Sequence, residues 1–386
     1  MKHRKSIFIL LTIVCSVLLS GCWSYSEIDE RLVVGTVGID YAKKKDMYRI
    51  TIRAINAKPT ASGIELVPVV ISTEGKSVFE AIRKSAPLYG RKTYWSHLQS
   101  IIISDKVAQE DVFKTLDFFY RDAEVRQDNM LYISCGSSAE EVVRLEAVLQ
   151  KERQFTLRYA MRTQKFVGTF PEQDLVEFGS KILEETIKPI VPIITIYKDQ
   201  GKDMIRIEGS AVFLNRRMVG KLSPHETLVV VLLRNEFKNP LMVSTINEGK
   251  DLTEAKLATM EIFDSRTKIK SSKKSDGENI SVLVSIELNA GVGEMNYPMN
   301  YVDEKSIKNL KNTVEADIRD HILKTVKFVQ QDYKSDVFGF GKAVEISNPK
   351  LWNNLKNEWD KEFSKVPVEV QVTVNIENTG KVVSTE

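Results

Sequence analysis

The sequence predicts an α+β protein of more than one domain, with mixed sheets packed against helices and a C-terminal domain of antiparallel-type strands laid on a long helix. Three observations carry that expectation. Between residues 32 and 183, period-two apolar runs alternate with segments of helical spacing. Further on, Ile280 to Leu288 and Val368 to Ile376 are apolar on one side only, and they flank a long amphipathic stretch from Lys305 to Gln331. Apolar residues make up 42% of the chain and charged ones 28%, the balance of a folded globular protein.

Taken in order, Leu32 to Tyr41 reads as the first strand and Lys43 to Asp46 as a turn. Tyr48, Ile50, Ile52 and Ala54 then alternate with Arg49, Thr51 and Arg53, which completes a hairpin. A loop from Pro59 to Gly63 is expected next, followed by a short strand from Val67 to Ser72. Ser77 and Glu80 have capping-box spacing and open a helix with Val78, Ala81 and Ile82 on one face. His97 to Ser104 reads as a buried strand, followed from about Glu110 by a helix carrying Val112, Leu116 and Phe119. Met130 to Ser134 is another strand, Ser138 and Glu141 a second capping box, and Leu175 to Leu183 another helix. The polar, turn-prone run 197–204 marks a domain boundary. Beyond it lie a hairpin turning at Asn215-Arg216-Arg217, a helix from Pro224 to Leu233, and a basic, solvated loop at 266–279. The expected domains are 22–197 and 205–379, the latter with a small middle subdomain at 205–265.

The first residues set the address. Lys2, Arg4 and Lys5 precede an apolar run from Ile7 to Leu19. That run falls short of the ~20 residues a membrane-spanning helix needs, but it suits the core of a secretory signal. Leu19-Ser20-Gly21-Cys22 looks like a bacterial lipobox, which implies a signal peptide at 1–21, cleavage between Gly21 and Cys22, and a diacylglyceryl and palmitate anchor on the Cys22 thiol. An ordinary signal peptide cut nearby is the plainer alternative. Two acyl chains hold stably where one holds marginally. The body of the chain is therefore expected on the extracytoplasmic face.

Charge and side-chain inventory exclude more than they assign. The net charge of +3 belongs to the signal segment; without Lys2, Arg4 and Lys5, 52 basic residues face 52 acidic ones. Nucleic acid is therefore not an expected partner, since phosphate binding needs clustered positive charge. Cys135 is the one cysteine left after Cys15 and Cys22, which rules out an internal disulfide, and its place at a strand end suits a small buried hydrophobe. His97, His225 and His321 show no zinc-ligand spacing, and no HExxH or GxSxG occurs. The expectation is no catalytic residue, no metal and no cofactor. Trp352 and Trp359, seven apart, read as core rather than as a ligand cage.

Cys22-Trp23-Ser24-Tyr25-Ser26-Glu27-Ile28 with Val34-Gly35-Thr36-Val37-Gly38-Ile39-Asp40 resembles the opening of mature Ger(x)C-family spore germination lipoproteins, with Ser24 where the family usually has aspartate. Asp117-Phe118-Phe119-Tyr120-Arg121-Asp122-Ala123-Glu124-Val125-Arg126 is similar to the family's central segment. Gly209-Ser210-Ala211-Val212-Phe213, Met218 to Leu222, Asp336 to Gly341 and Pro349 to Trp352 resemble its later signatures. The resemblance implies the C subunit of a nutrient germinant receptor, on the outer face of the spore inner membrane beside two integral membrane subunits. A small-molecule germinant is detected by such a complex, without an implied contact to this subunit. The family supplies no catalytic residue. Arg121, Asp122, Glu124 and Arg126 are charged groups at a helix end that suit an interface, or equally a surface ion-pair cluster of little energetic weight. A lipid-anchored solute-binding protein of a transporter is the second reading; it requires two similar lobes around a cleft. A lipid-anchored hydrolase is the third.

Overall fold

A computed structural model of the chain describes residues 31–378, apart from 45, 61–62, 152–155, 237–238, 248–255, 274–279 and 298–302. The signal segment, Gly21, Cys22 and the polar lead-out at 23–30 lie outside the described residues. Among the described residues no helix is long and apolar enough to cross a membrane.

Strand β1 (Arg31–Tyr41) pairs antiparallel with β2 (Tyr48–Thr60), and β2 antiparallel with β3 (Gly63–Gly75). The expected loop from Pro59 to Gly63 is mostly strand: Pro59 pairs with Ile64 and Thr60 with Gly63, leaving 61–62 for the turn. Pro59 is tolerated because β1 stops pairing at Val33–Ile55, so this end of β2 has a neighbour on one side only. Strands β4 (Lys92–Tyr94), β5 (Ser100–Ser104), β6 (Met130–Ser134) and β7 (Ile190–Asp199) continue the sheet in the direction of β1. β5 begins at Ser100 rather than at His97, because the Leu98 amide donates to the Trp95 carbonyl in a turn; the chain rejoins β1 where Gln99 N donates to the Gly35 carbonyl. β8 (Lys202–Leu214), antiparallel to β7, and β9 (Arg217–Leu222), antiparallel to β8, complete a nine-stranded sheet.

The isoleucine run of β5 explains why both faces are covered. Ile101 and Ile103 join the cluster beneath α1 (Val78–Tyr89), α2 (Asp105–Ala108), α3 (Val112–Arg121) and α7 (Leu175–Leu183). Ile102 joins the cluster beneath α4 (Ala139–Lys151) and α5 (Leu157–Met161), which α6 (Gln164–Val167) follows. Helix α4 carries the predicted capping box in full: Ser138 Oγ accepts from Glu141 N, and Glu141 accepts from Ser138 N. At α1, Ser77 caps Glu80 N, while the Glu80 carboxylate reaches back to Lys76 N.

The boundary expected at 197–204 falls on a hairpin turn, Gln200–Gly201, that joins two strands of this sheet. Nor does 205–265 form a subdomain. Its hairpin β8–β9 edges the first sheet, whereas α8 (Pro224–Leu233), β10 (Leu241–Asn247) and the start of β11 (Lys256–Lys273) build the second lobe. That lobe is a four-stranded sheet, β10-β11-β12-β13, with β12 at Ile280–Met295 and β13 at Val368–Asn378. Residues 266–273 of the expected loop belong to β11: Thr267 turns inward while Lys268 and Lys270 face water, so the lysines mark a strand's wet side. The sheet packs on α9 (Glu304–Phe328), which buries Leu310, Val314, Ile318 and Ile322. β10, β11 and β12 are antiparallel as expected, and β13 returns parallel to β12 after the long crossover through α9.

Several side chains join the lobes, Ser335 Oγ among them, which donates to the Phe213 carbonyl of β8 at 2.8 Å. Arg234, just past α8, donates from its guanidinium to the Val337 carbonyl (2.6 Å) and the Lys188 carbonyl (2.7 Å). Tyr333 ends a π-helical turn, Val329–Tyr333, and donates to the Lys221 carbonyl of β9 at 2.7 Å, over a Gly220 where a Cβ would strike the tyrosine ring.

Candidate interaction surface

The four charged residues singled out in the sequence lie where α3 runs out and the chain turns into β6, at the amino-terminal edge of the parallel strands. Arg121 pairs back to Asp117 at 2.8 Å, and Asp122 accepts from Glu124 N. Glu124 faces Lys92 at 3.4 Å and accepts from Trp95 N, while Arg126 pairs with Asp128 at 2.7 Å. The structure thus splits the cluster between two concavities. Arg121 and Asp122 line a groove of about 400 Å³ between α1 and α3, floored by Phe79 and Phe118, whose rings stack at 5.3 Å. Arg126 lines a cleft of about 350 Å³ with His97, Arg158 and Arg162. These four basic side chains are exposed, and Glu172 and Asp128 share the rim.

At the carboxyl-terminal edge of the same strands lies a crevice of about 440 Å³ bordered by Asp40, Arg49, Ser104 and Gly136. In open α/β sheets this is the edge at which ligands bind, helped by helix amino termini. Here the chain uses its own carboxylate. Asp40 accepts from Ala139 N at 2.9 Å and Glu140 N at 2.8 Å, the first amides of α4. Burial holds Asp40 above the ordinary carboxylate range, against the pull of those two amides. Arg49 bridges Glu74 (2.6 Å) and Glu140 (2.9 Å), and Arg144 holds Glu140 from the other side at 2.7 Å, so both carboxylates have a basic partner.

Deeper still is a pair that strand alternation does not disclose. Arg53 and Glu146 are buried together at 3.1 Å, with Thr36 Oγ1 donating to the same carboxylate oxygen at 2.8 Å and Gln150 accepting from the guanidinium. Gly35 leaves the room for this: a Cβ there would lie 2.7 Å from the guanidinium. In the second lobe Asp336 is fully buried. It accepts from the amides of Gly339, Phe340 and Gly341 and from Trp359 Nε1, so the stretch that resembles a family signature is a helix cap. The signal for Asp336 was an aspartate three residues before a glycine-rich helix start; Arg53 gave none beyond its place in a strand.

The remaining candidates are structural. Cys135 is buried beside the end of β6, and burial pushes its thiol up, away from the reactive thiolate. His225 and His321 are exposed on α8 and α9, and the three histidines are not brought together. Trp352 and Trp359 are both buried and meet edge to face at 5.4 Å, from two short helices, α11 (Pro349–Leu355) and α12 (Trp359–Phe363). Helix α10 (Phe340–Ser347) packs beside them.

Two family descriptions span the chain: the spore germination protein N-terminal domain matches residues 24–196, and the spore germination B3/GerAC-like C-terminal domain matches 208–380. Spore germination protein KC of Bacillus subtilis is 23% identical, with 98% of this chain and 96% of that protein covered. Spore germination protein YndF of the same organism is 25% identical, with 96% of each covered. The crystal structure of the GerBC protein superposes with a TM-score of 0.56 at 18% identity, over 89% of this chain and 97% of that one, which shows a shared fold. With both domains matched in order and the whole fold shared, this chain belongs to the Ger(x)C family of spore germination proteins.

Proposed function

We propose that the protein is the lipid-anchored, extracytoplasmic C subunit of a germinant receptor, held by acylated Cys22 on the outer face of the spore inner membrane and required for nutrient-triggered germination. The observation that carries this reading is the match of both germination domains along the full chain, directly after the lipobox-like Leu19-Ser20-Gly21-Cys22. The protein acts by contact rather than by catalysis, with two integral membrane subunits as partners. The groove between α1 and α3, with Arg121 and Asp122 on its rim and exposed Phe79 on its floor, is the surface offered to them.

Deleting the gene is expected to abolish germination on the nutrients of one receptor and to leave vegetative growth intact. Unchanged germination on every nutrient, in a strain without related receptors, sinks the reading. Cys22→Ala is expected to yield precursor without acyl mass that is lost from membranes; stable retention of that variant places the anchor elsewhere.

A further inference from the structure

The amino-terminal edge of the nine-stranded sheet is also where the described chain begins. Arg31 pairs with Lys92 in register and lies over the Tyr94 ring at 4.6 Å, and Tyr94 in turn neighbours His97 (6.1 Å between ring centres) on the rim of the cleft. Nine residue steps separate Cys22 from Arg31, so a chain anchored at Cys22 holds this edge within about 30 Å of the bilayer. The same edge collects positive charge. Arg158 and Arg162 have no carboxylate partner among the described residues, and Arg126, Arg91 and Lys92 stand nearby with Glu124, Asp128 and Glu172 as the opposing charges. Beyond the signal segment the chain is formally neutral, so this surplus is a local asymmetry. Large apolar side chains are exposed on α1 and α5: Leu88 is 62% exposed and Tyr89 42% at the end of α1, and Tyr159, under the Arg162 guanidinium at 5.3 Å, is 63% exposed. Arginines interleaved with exposed tyrosine and leucine are what a bilayer interface accommodates, the guanidinium on phosphate and the ring among headgroups.

We infer that this edge lies on the bilayer itself, with anionic phospholipid headgroups entering the cleft of His97, Arg126, Arg158 and Arg162. The inference rests on the lipid-anchor reading for its geometry, and it assigns Arg126 to lipid while Arg121 and Asp122 stay with the protein-facing groove.

Two arms separate the two claims. In the first, the mature full-length chain with Cys22→Ala is sedimented with vesicles of phosphatidylcholine, with and without 40% phosphatidylglycerol, at low salt. Binding is expected to rise at least tenfold with the anionic lipid and to fall at least tenfold in Arg158→Glu/Arg162→Glu, since each basic side chain near such a surface contributes about fivefold. Arg158→Gln/Arg162→Gln, with an unchanged urea midpoint, should lie between. Equal sedimentation with both lipids, or with all three chains, overturns the inference whatever holds the native protein to the membrane. In the second, the acylated chain with Cys135→Ala carries a nitroxide at Tyr159→Cys or, in the other lobe, at Ile346→Cys. Relaxation by a bilayer-borne nickel chelate is expected at 159 and not at 346, with the contrast lost in 1 M salt. Equal relaxation at both sites, or a contrast that needs the integral membrane subunits, overturns it. Absence of acyl mass on the wild-type chain instead defeats the anchor reading alone.

Discussion

The two edges of the nine-stranded sheet answer the same problem in opposite ways. At the carboxyl edge, where open sheets commonly hold a ligand, Asp40 already occupies the amides of α4, and Arg49 and Arg144 pair with Glu74 and Glu140. At the amino edge Arg158 and Arg162 stand in water without a carboxylate partner among the described residues. A fold must satisfy its polar groups where they are buried, whereas water satisfies the exposed ones and leaves them free for a partner. The contrast teaches that position in an α/β topology does not fix which edge has charge to spare; the partners of each charge do.

The comparison can be broken first through the buried pair behind the carboxyl edge. Glu146→Ala strands the Arg53 guanidinium in the interior and is expected to cost about 3–5 kcal/mol, read from urea unfolding followed by circular dichroism. A loss under 1 kcal/mol shows that water reaches the site.

Asp40→Ala should cost less, about 1–2 kcal/mol, the range for losing a helix cap. If Asp40 does fill an anion site, sulfate should stabilise the variant more than the wild type in thermal unfolding, and an equal response removes that interpretation. The sign of the pH dependence follows from burial raising this carboxyl. The folded chain binds the proton more tightly than the unfolded one, so the stability Asp40 contributes is full below the ordinary carboxylate value and declines as pH rises through the raised one. The gap between wild type and Asp40→Ala should therefore narrow as pH rises above the ordinary carboxylate value.

Removing charge from the amino edge should hardly register in stability. Arg158→Gln/Arg162→Gln is expected within about 0.5 kcal/mol of wild type by the same unfolding measurement, because both side chains are exposed and the contact of Arg162 with the Tyr159 ring (5.3 Å) is a surface one. A larger loss makes these arginines structural. Smallest of all is the effect expected at Cys135. Being buried with its thiol held protonated, it should stay unmodified by iodoacetamide in the folded chain at pH 7 and react once urea unfolds it.

Most elements are legible one at a time. Leu175–Leu183 and Pro224–Leu233 appear with the predicted ends because Asp174 and Ser223 cap them and the apolar spacing is unbroken. Arg53 is the instructive failure: alternation puts it opposite Ile52, but whether that side meets water or α4 depends on a helix some ninety residues away. Residues 266–273 fail for a related reason, since a lysine-rich run is equally a loop or the wet face of a strand until a partner strand is present.

Local chemistry was sufficient for what is local. Signal-like hydrophobicity, caps, turn residues at Asn215 and Arg216, and period-two or helical spacing depend on near neighbours along the chain. Only the tertiary structure decided that the hairpin at 190–214 belongs to one sheet, that β13 runs parallel to β12, and that Arg126, Arg158, Arg162 and His97 share one cleft. Those are statements about pairs distant in sequence, and their energies arise from burial and charge shared across strands and helices that no single stretch of sequence contains.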